Sequence, residues 1–258
     1  MKKLALTSLL AFFAVSGAQA ANIIDGNPLY RPAEGRFYSI TSLETHSKAV
    51  DAVTLGEEFA YGITDDMAVI IGTSAAQADW FDVMSWNELS LGINYRFLDE
   101  GAWKMDFLAN YSMAPVWGDH EEFMDKDLTL YGWTAGVRGG YVGEGFTIAG
   151  HVLFDYVGDE SFNWGDDGLH MMRFGIDGQL VLNDSWNLVA GAEYTAYVDG
   201  DMWKQNLGSW DLMFGANYNI DETKFVGAYI TREVDHLDAG DWEIADGFGM
   251  GVKFGIDF

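Results

Sequence analysis

His151 and Asp155 lie four residues apart within residues 146–156, a stretch in which apolar and polar residues alternate. An imidazole and a carboxylate on one face are the minimum for activating a water molecule, the ring taking a proton while the acid supports it. Four residues of strand span ~13 Å, however, so the two side chains cannot touch directly. Asp159 and Glu160 follow close behind and would give a histidine paired carboxylates at the end of the strand. The hydroxyls offer less, because Ser112, Ser161 and Ser209 fall near strand ends and no recognisable motif ties a histidine to any of them. His46, His120, His170 and His236 occur at connections or strand ends and read as ordinary surface groups. Cysteine is absent, which removes thiolate nucleophiles, thiolate metal sites and disulfides. No stretch has the spacing of a calcium-binding loop. The sequence therefore predicts no catalytic residue, no metal site and no cofactor.

A second population of charges sits on the polar side of similar alternating stretches: Arg96, Lys104, Asp106, Arg138, His151, Asp155, Arg173, Asp177, Glu193, Asp211, Arg232 and Lys253. Both signs occur, and Asp106 with Arg138, Asp155 with Arg173, and Asp177 with Glu193 fall on neighbouring stretches. Side chains of this kind either line a narrow aqueous passage or pair across it and close it. Gly136, Gly247, Gly249 and Gly251 would lower bulk on the same wall and favour open volume.

The elements that must carry these residues are strands. Period-two patterning marks about twelve, with ten or fourteen as alternatives: 35–45, 53–63, 67–77, 86–97, 102–114, 128–141, 146–156, 169–182, 186–197, 210–220, 224–234 and 244–258. Leu89, Leu91, Ile93, Tyr95 and Phe97, for example, alternate with Glu88, Ser90, Gly92, Asn94 and Arg96. The first, third and eleventh are ambiguous in facing, because both parities are partly apolar. Short turns at 64–66, 98–101, 142–145, 183–185 and 221–223 alternate strictly with longer acidic connections around 46–52, 78–85, 115–126, 157–168, 198–209 and 235–243. Aromatic residues gather near the short turns, and none of the three prolines would interrupt a strand.

Residues 1–20 carry Lys2 and Lys3, an apolar run over 4–15 and a small-x-small site at Ala18-Gln19-Ala20, the layout of a secretory leader. That run is too short to span a bilayer as a helix, which needs ~20 residues. Without long apolar runs elsewhere, a membrane chain can satisfy its backbone inside lipid only as a closed barrel. The other end of the chain agrees: residues 248–258 alternate apolar residues with glycine or charge and stop on Phe258. This terminal strand resembles the closing strand of Gram-negative outer-membrane β-barrel proteins. The resemblance implies an all-β, single antiparallel transmembrane β-barrel with both termini periplasmic. It also implies recognition of Val252, Phe254, Ile256 and Phe258 by the barrel-assembly machinery. A histidine with paired carboxylates at the rim would resemble the water-activating arrangement of omptin proteases, but the surrounding motifs of that family are missing and it has fewer strands. Residues 21–34 lack a barrel pattern and are expected to form a periplasmic tail or a plug in the lumen, ahead of a barrel over 35–258.

Loss of the leader would leave 12 basic against 40 acidic residues, a net charge of −28, so nucleic acid is not an expected partner. Expected partners are outer-membrane lipid and lipopolysaccharide, the assembly machinery, and small solutes or cations. The acids concentrate in the long connections, where their field would raise cation concentration at the mouth. The reading that follows is a porin-like channel for small hydrophilic solutes in the cell outer membrane, weakly cation-selective. A closed barrel with a structural or adhesin-like surface role is the alternative, and an outer-membrane hydrolase the third.

Overall fold

The computed structural model describes residues 27–78, 83–115, 129–158, 168–198, 208–236, 243–244 and 247–258. The expected leader, residues 21–26 and most of the acidic connections lie outside these, as do Asp159, Glu160 and Ser161. Thirteen strand segments are present among the described residues: β1 (Phe37–His46), β2 (Ala49–Thr64), β3 (Met67–Ala78), β4 (Val83–Glu100), β5 (Trp103–Pro115), β6 (Thr129–Gly143), β7 (Phe146–Gly158), β8 (Leu169–Val181), β9 (Trp186–Tyr197), β10 (Gly208–Asn219), β11 (Lys224–His236), β12 (Glu243–Ile244) and β13 (Gly249–Asp257). Each pairs antiparallel with its neighbour, β11 pairs with β13, and β13 pairs with β1, closing a barrel of twelve staves. The closing seam runs from Tyr38 opposite Asp257 to His46 opposite Gly249. Phe258 finishes it, donating its amide to the Phe37 carbonyl at 2.8 Å while the two rings stack at 4.4 Å.

The last stave is split, since β12 and β13 both pair with β11 and the chain between them turns through Gly247 at φ +93°. The connection expected over 46–52 is instead a two-residue turn, Ser47-Lys48, with β1 and β2 running up into it. A register shift at Thr45/His46 and the Thr45 hydroxyl, bonded to the Ala52 carbonyl at 2.8 Å, hold that tip.

At the opposite rim the turns are as short as the sequence predicts. Gly101 and Gly145 take positive φ of 59° and 80°, conformations that cost a side-chain-bearing residue energy. Asn183 and Asp221 close their turns by accepting amide hydrogens, from Ser185 at 2.9 Å and from Thr223 at 2.8 Å. The Asp221 carboxylate also accepts the Thr223 hydroxyl, and these bonds hold its pKa down to about 2.

Burial is inverted relative to a water-soluble domain. Leu91, Ile93, Tyr95, Phe107, Val152, Ile176, Phe214, Ile230 and Val252 are exposed on the outer face, whereas Arg96, Asp106, Arg138, Arg173, Asn187 and Asn217 are buried inside. An apolar outer face over strands of 9 to 18 residues, the two-residue β12 apart, matches a ~25 Å hydrocarbon band crossed at a tilt, and the polar interior matches a lumen. Rings girdle the short-turn rim, with Trp103 against Tyr141 at 5.3 Å, Tyr141 against Phe146 at 5.7 Å and Trp186 against Tyr218 at 5.1 Å.

Candidate functional site

The lumen holds a cavity of about 570 Å³. Strand alternation sends every second side chain of its wall inward, and seven of those are carboxylates: Glu44, Glu58, Glu88, Asp177, Glu193, Asp211 and Glu233. Against them stand two permanent cations, Arg173 and Lys253, with His46 and His151. Glu193, Asp211 and Glu233 form one row, because Asp211 lies directly opposite Glu193 on β9 and Glu233 on β11. Like charges facing each other across a ladder are unfavourable unless a cation or a proton relieves them.

One part of the wall is an ion-pair network. Arg173 grips Asp155 through two nitrogens at 2.7 and 2.9 Å and reaches Glu193 at 3.4 Å. Glu193 meets His151 Nε2 at 2.8 Å, and His151 Nδ1 faces Asp177 at 3.4 Å. Thr134 donates its hydroxyl to Asp155. Of the expected cross-strand partners, Asp155 and Arg173 therefore meet, whereas His151 stands between Asp177 and Glu193. The His151 ring lies over Gly175, where any β-carbon would displace it. His151 and Asp155 do not touch, and both ring nitrogens of His151 face carboxylates, so the arrangement fixes charge and presents no activated hydroxyl.

Nearer the short turns is a second network. Asp106, with no exposed surface, accepts from Arg96 at 2.8 and 3.3 Å and from Arg138 at 3.2 Å. Arg96 also donates to the Leu29 carbonyl at 2.6 Å. Lys104 sits at the rim, paired with Asp99. Lys253 is buried with its ammonium 5.7 Å from the Phe225 ring, a cation–π contact. Asp106, Arg138, Phe225, Asn187 and Asn217 are fully buried and do not line the cavity.

Arg232 departs from its expected lumen position. It lies opposite the outward-facing Leu212 and donates to the Gly247 carbonyl. The inward residues of β11 are Phe225, Gly227, Tyr229, Thr231 and Glu233. Two aromatic rings face the lumen, while Arg232 shares the outward parity with Val226, Ala228 and Ile230, so both parities of β11 are partly apolar and the charge of Arg232 alone misplaced it. Gly251 does not open the wall as expected either, because the Tyr229 ring occupies the space above it, and Gly136 is pressed against the β7 backbone.

Several wall residues escaped the sequence reading. Tyr38 donates to Glu58 at 2.7 Å, and Tyr229 donates to Glu44. Alternation along β4 did place Glu88 inward beside Ser90, but adjacent Glu57 and Glu58 cannot be assigned without the register. Glu57 faces outward, its two oxygens accepting from Ser39 at 2.5 Å and Thr41 at 2.6 Å.

No protein-family model matches the chain, and no curated protein matches it. Among solved structures it resembles the NanC porin with a TM-score of 0.55 at 11% identity, over 84% of this chain and 98% of that one. The KdgM porin gives a TM-score of 0.53 at 8% identity, over 86% and 99%. The translocator domain of the autotransporter NalP from Neisseria meningitidis gives 0.57 at 14% identity, over 98% and 96%. The fold is that of bacterial outer-membrane β-barrel proteins, and at these identities the likeness extends to the fold alone.

Proposed function

We propose that the protein is an outer-membrane channel that passes small hydrophilic solutes and favours cations. The observation carrying this reading is the cavity wall, with seven inward carboxylates against two permanent cations. A sphere of the cavity's volume is ~10 Å across, close to the ~8 Å over which physiological salt screens a charge, so the wall's field reaches the cavity's centre. Cations are enriched there and anions depleted. The porin likenesses support a channel-type barrel. Outer-membrane lipid, lipopolysaccharide and the assembly machinery are the partners such a barrel needs. We assign no catalytic role, since His151 is held between Asp177 and Glu193 and Asp155 is held by Arg173.

Planar bilayers under a tenfold KCl gradient test the proposal. An ideally cation-selective pore would read about 59 mV. The expected potential has the cation sign and falls well short of that value. A reversal potential of anion sign would overturn the selectivity. The rival reading, a closed barrel with a structural or surface-interaction role, is favoured by the fully buried side chains between the cavity and the short turns. It predicts no conductance steps under any condition.

A further inference from the structure

We propose that residues 27–36 form a strap that closes the lumen at its short-turn rim, so that passage through the barrel requires its displacement. The inference rests on the channel reading for its consequence, but its evidence is independent. Pro28, Leu29 and Pro32 are buried, Leu29 to 2% exposure, although all three precede the first strand.

The segment is built to hold one shape. Asn27 caps it, its side-chain oxygen accepting from the Leu29 amide at 2.9 Å and its carbonyl from the Tyr30 amide at 3.0 Å. Pro28 and Pro32 fix their own φ angles and reduce the entropy lost on ordering. The strap then fastens to the wall at several points. Arg96 donates to the Leu29 carbonyl, and the Tyr30 hydroxyl donates to Asp257 on the closing stave at 2.7 Å. Arg31 reaches the Asp65 carbonyl in the β2–β3 turn. Gly35 donates to the Gly62 carbonyl at 2.9 Å, and the Gly62 amide returns a bond to Arg36 at 2.9 Å. Tyr30 packs on the buried cluster of Tyr38, Ile40, Ala60 and Phe225. The same Arg96 belongs to the Asp106 network, which joins the strap to the plane of fully buried side chains below the cavity.

One feature of this closure opposes it. Arg31 lies beside Arg96, and its Nε and Nη1 are buried without a protein acceptor. Burial pushes its pKa below the ordinary value, and Arg96 pushes the same way. Asp106, Asp66 and Asp99 push the other way. A half-buried cation with two enclosed nitrogens lacking acceptors lowers the cost of leaving the closed position, as a displaceable closure requires.

The test replaces residues 27–33 with glycine and serine in equal number, keeping the rest of the full chain. A second pair of proteins adds Ala60→Cys to each background; the chain has no other cysteine, so a hydrophilic maleimide reports one site. The expected results are a several-fold rise in bilayer conductance for the replaced strap and Ala60→Cys labelling at least tenfold faster in that background. Equal conductance together with equal labelling would overturn the strap while leaving the channel reading intact. Faster labelling with no conductance in either protein would support the strap as a seal and refute the channel.

Discussion

Asp106 is the sharpest test of whether the lumen near the short turns is a packed interior or a watery passage. Its carboxylate has no exposed surface and lies between Arg96, 7% exposed, and Arg138, 1% exposed, with three contacts of 2.8 to 3.3 Å. Replacing it with alanine removes the shared anion and leaves two buried guanidinium groups facing each other. Breaking a buried ion pair from one side costs ~3–5 kcal/mol. Arg96 keeps the Leu29 carbonyl and a longer contact to Asp99 at 3.6 Å, so the lower end, ~3 kcal/mol, is the expected loss. At ~1.36 kcal/mol per decade this is more than a hundredfold in the unfolding constant. Asp106→Asn keeps an acceptor and loses only the charge, so it should fall between wild type and alanine. Adding Arg138→Met to the alanine variant should recover part of the loss, because the pair acts as a unit. Urea unfolding of the lipid- or detergent-folded barrel, followed by tryptophan fluorescence, reads all four proteins. A loss below ~0.5 kcal/mol for Asp106→Ala would refute the reasoning, because it would mean that water screens these charges as it does at a surface.

The row of carboxylates across β9, β10 and β11 is expected to carry selectivity, so Asp211→Asn with Glu233→Gln should move the reversal potential toward zero while leaving single-channel conductance within about twofold; an unchanged potential would shift the burden to the connections. Asp221 should contribute at acid pH: its pKa is depressed to about 2 by Thr223, so its stabilisation is present above the ordinary carboxylate range and is lost as pH falls toward 2. Asp221→Asn should therefore lower stability near pH 7 and flatten the acid limb of the stability profile between pH 4 and 2, measured by urea midpoints.

The two charge networks and the cavity divide the lumen by function. Around Asp106, opposite charges meet at hydrogen-bond distance and exclude space. Along β9 to β11 and β1 to β4, carboxylates outnumber cations and surround volume. The sequence reading left pore lining and charge pairing as alternatives, and the molecule uses both. Charge pairing is not confined to the Asp106 level, because Arg173, Glu193, His151 and Asp177 pair within the cavity wall itself.

Much of the barrel is written locally. Alternation depends on neighbours one and two residues away, and turn chemistry on three or four, so β4, β5, β7, β9, β10 and the inward set Arg96, Asp106, Arg138, Asp155, Arg173, Glu193 and Lys253 could be read from the chain. The terminal aromatic strand pointed to a closed barrel through its resemblance to the closing strand of outer-membrane barrels, and the pairing of β13 with β1 closes it. What required the tertiary structure was set by pairing between distant segments. Where both parities of a strand are partly apolar, only the neighbour's register decides which face is inward: Tyr229 and Phe225 turn in and Arg232 turns out because β11 lies between β10 and β13. His151 separates Asp177 from Glu193 because a glycine, Gly175, lies across from it. Residues 27–36 have no periodic pattern, and their place at the short-turn rim depends on side chains from the β2–β3 turn, β4 and β13 that come together only when the barrel closes.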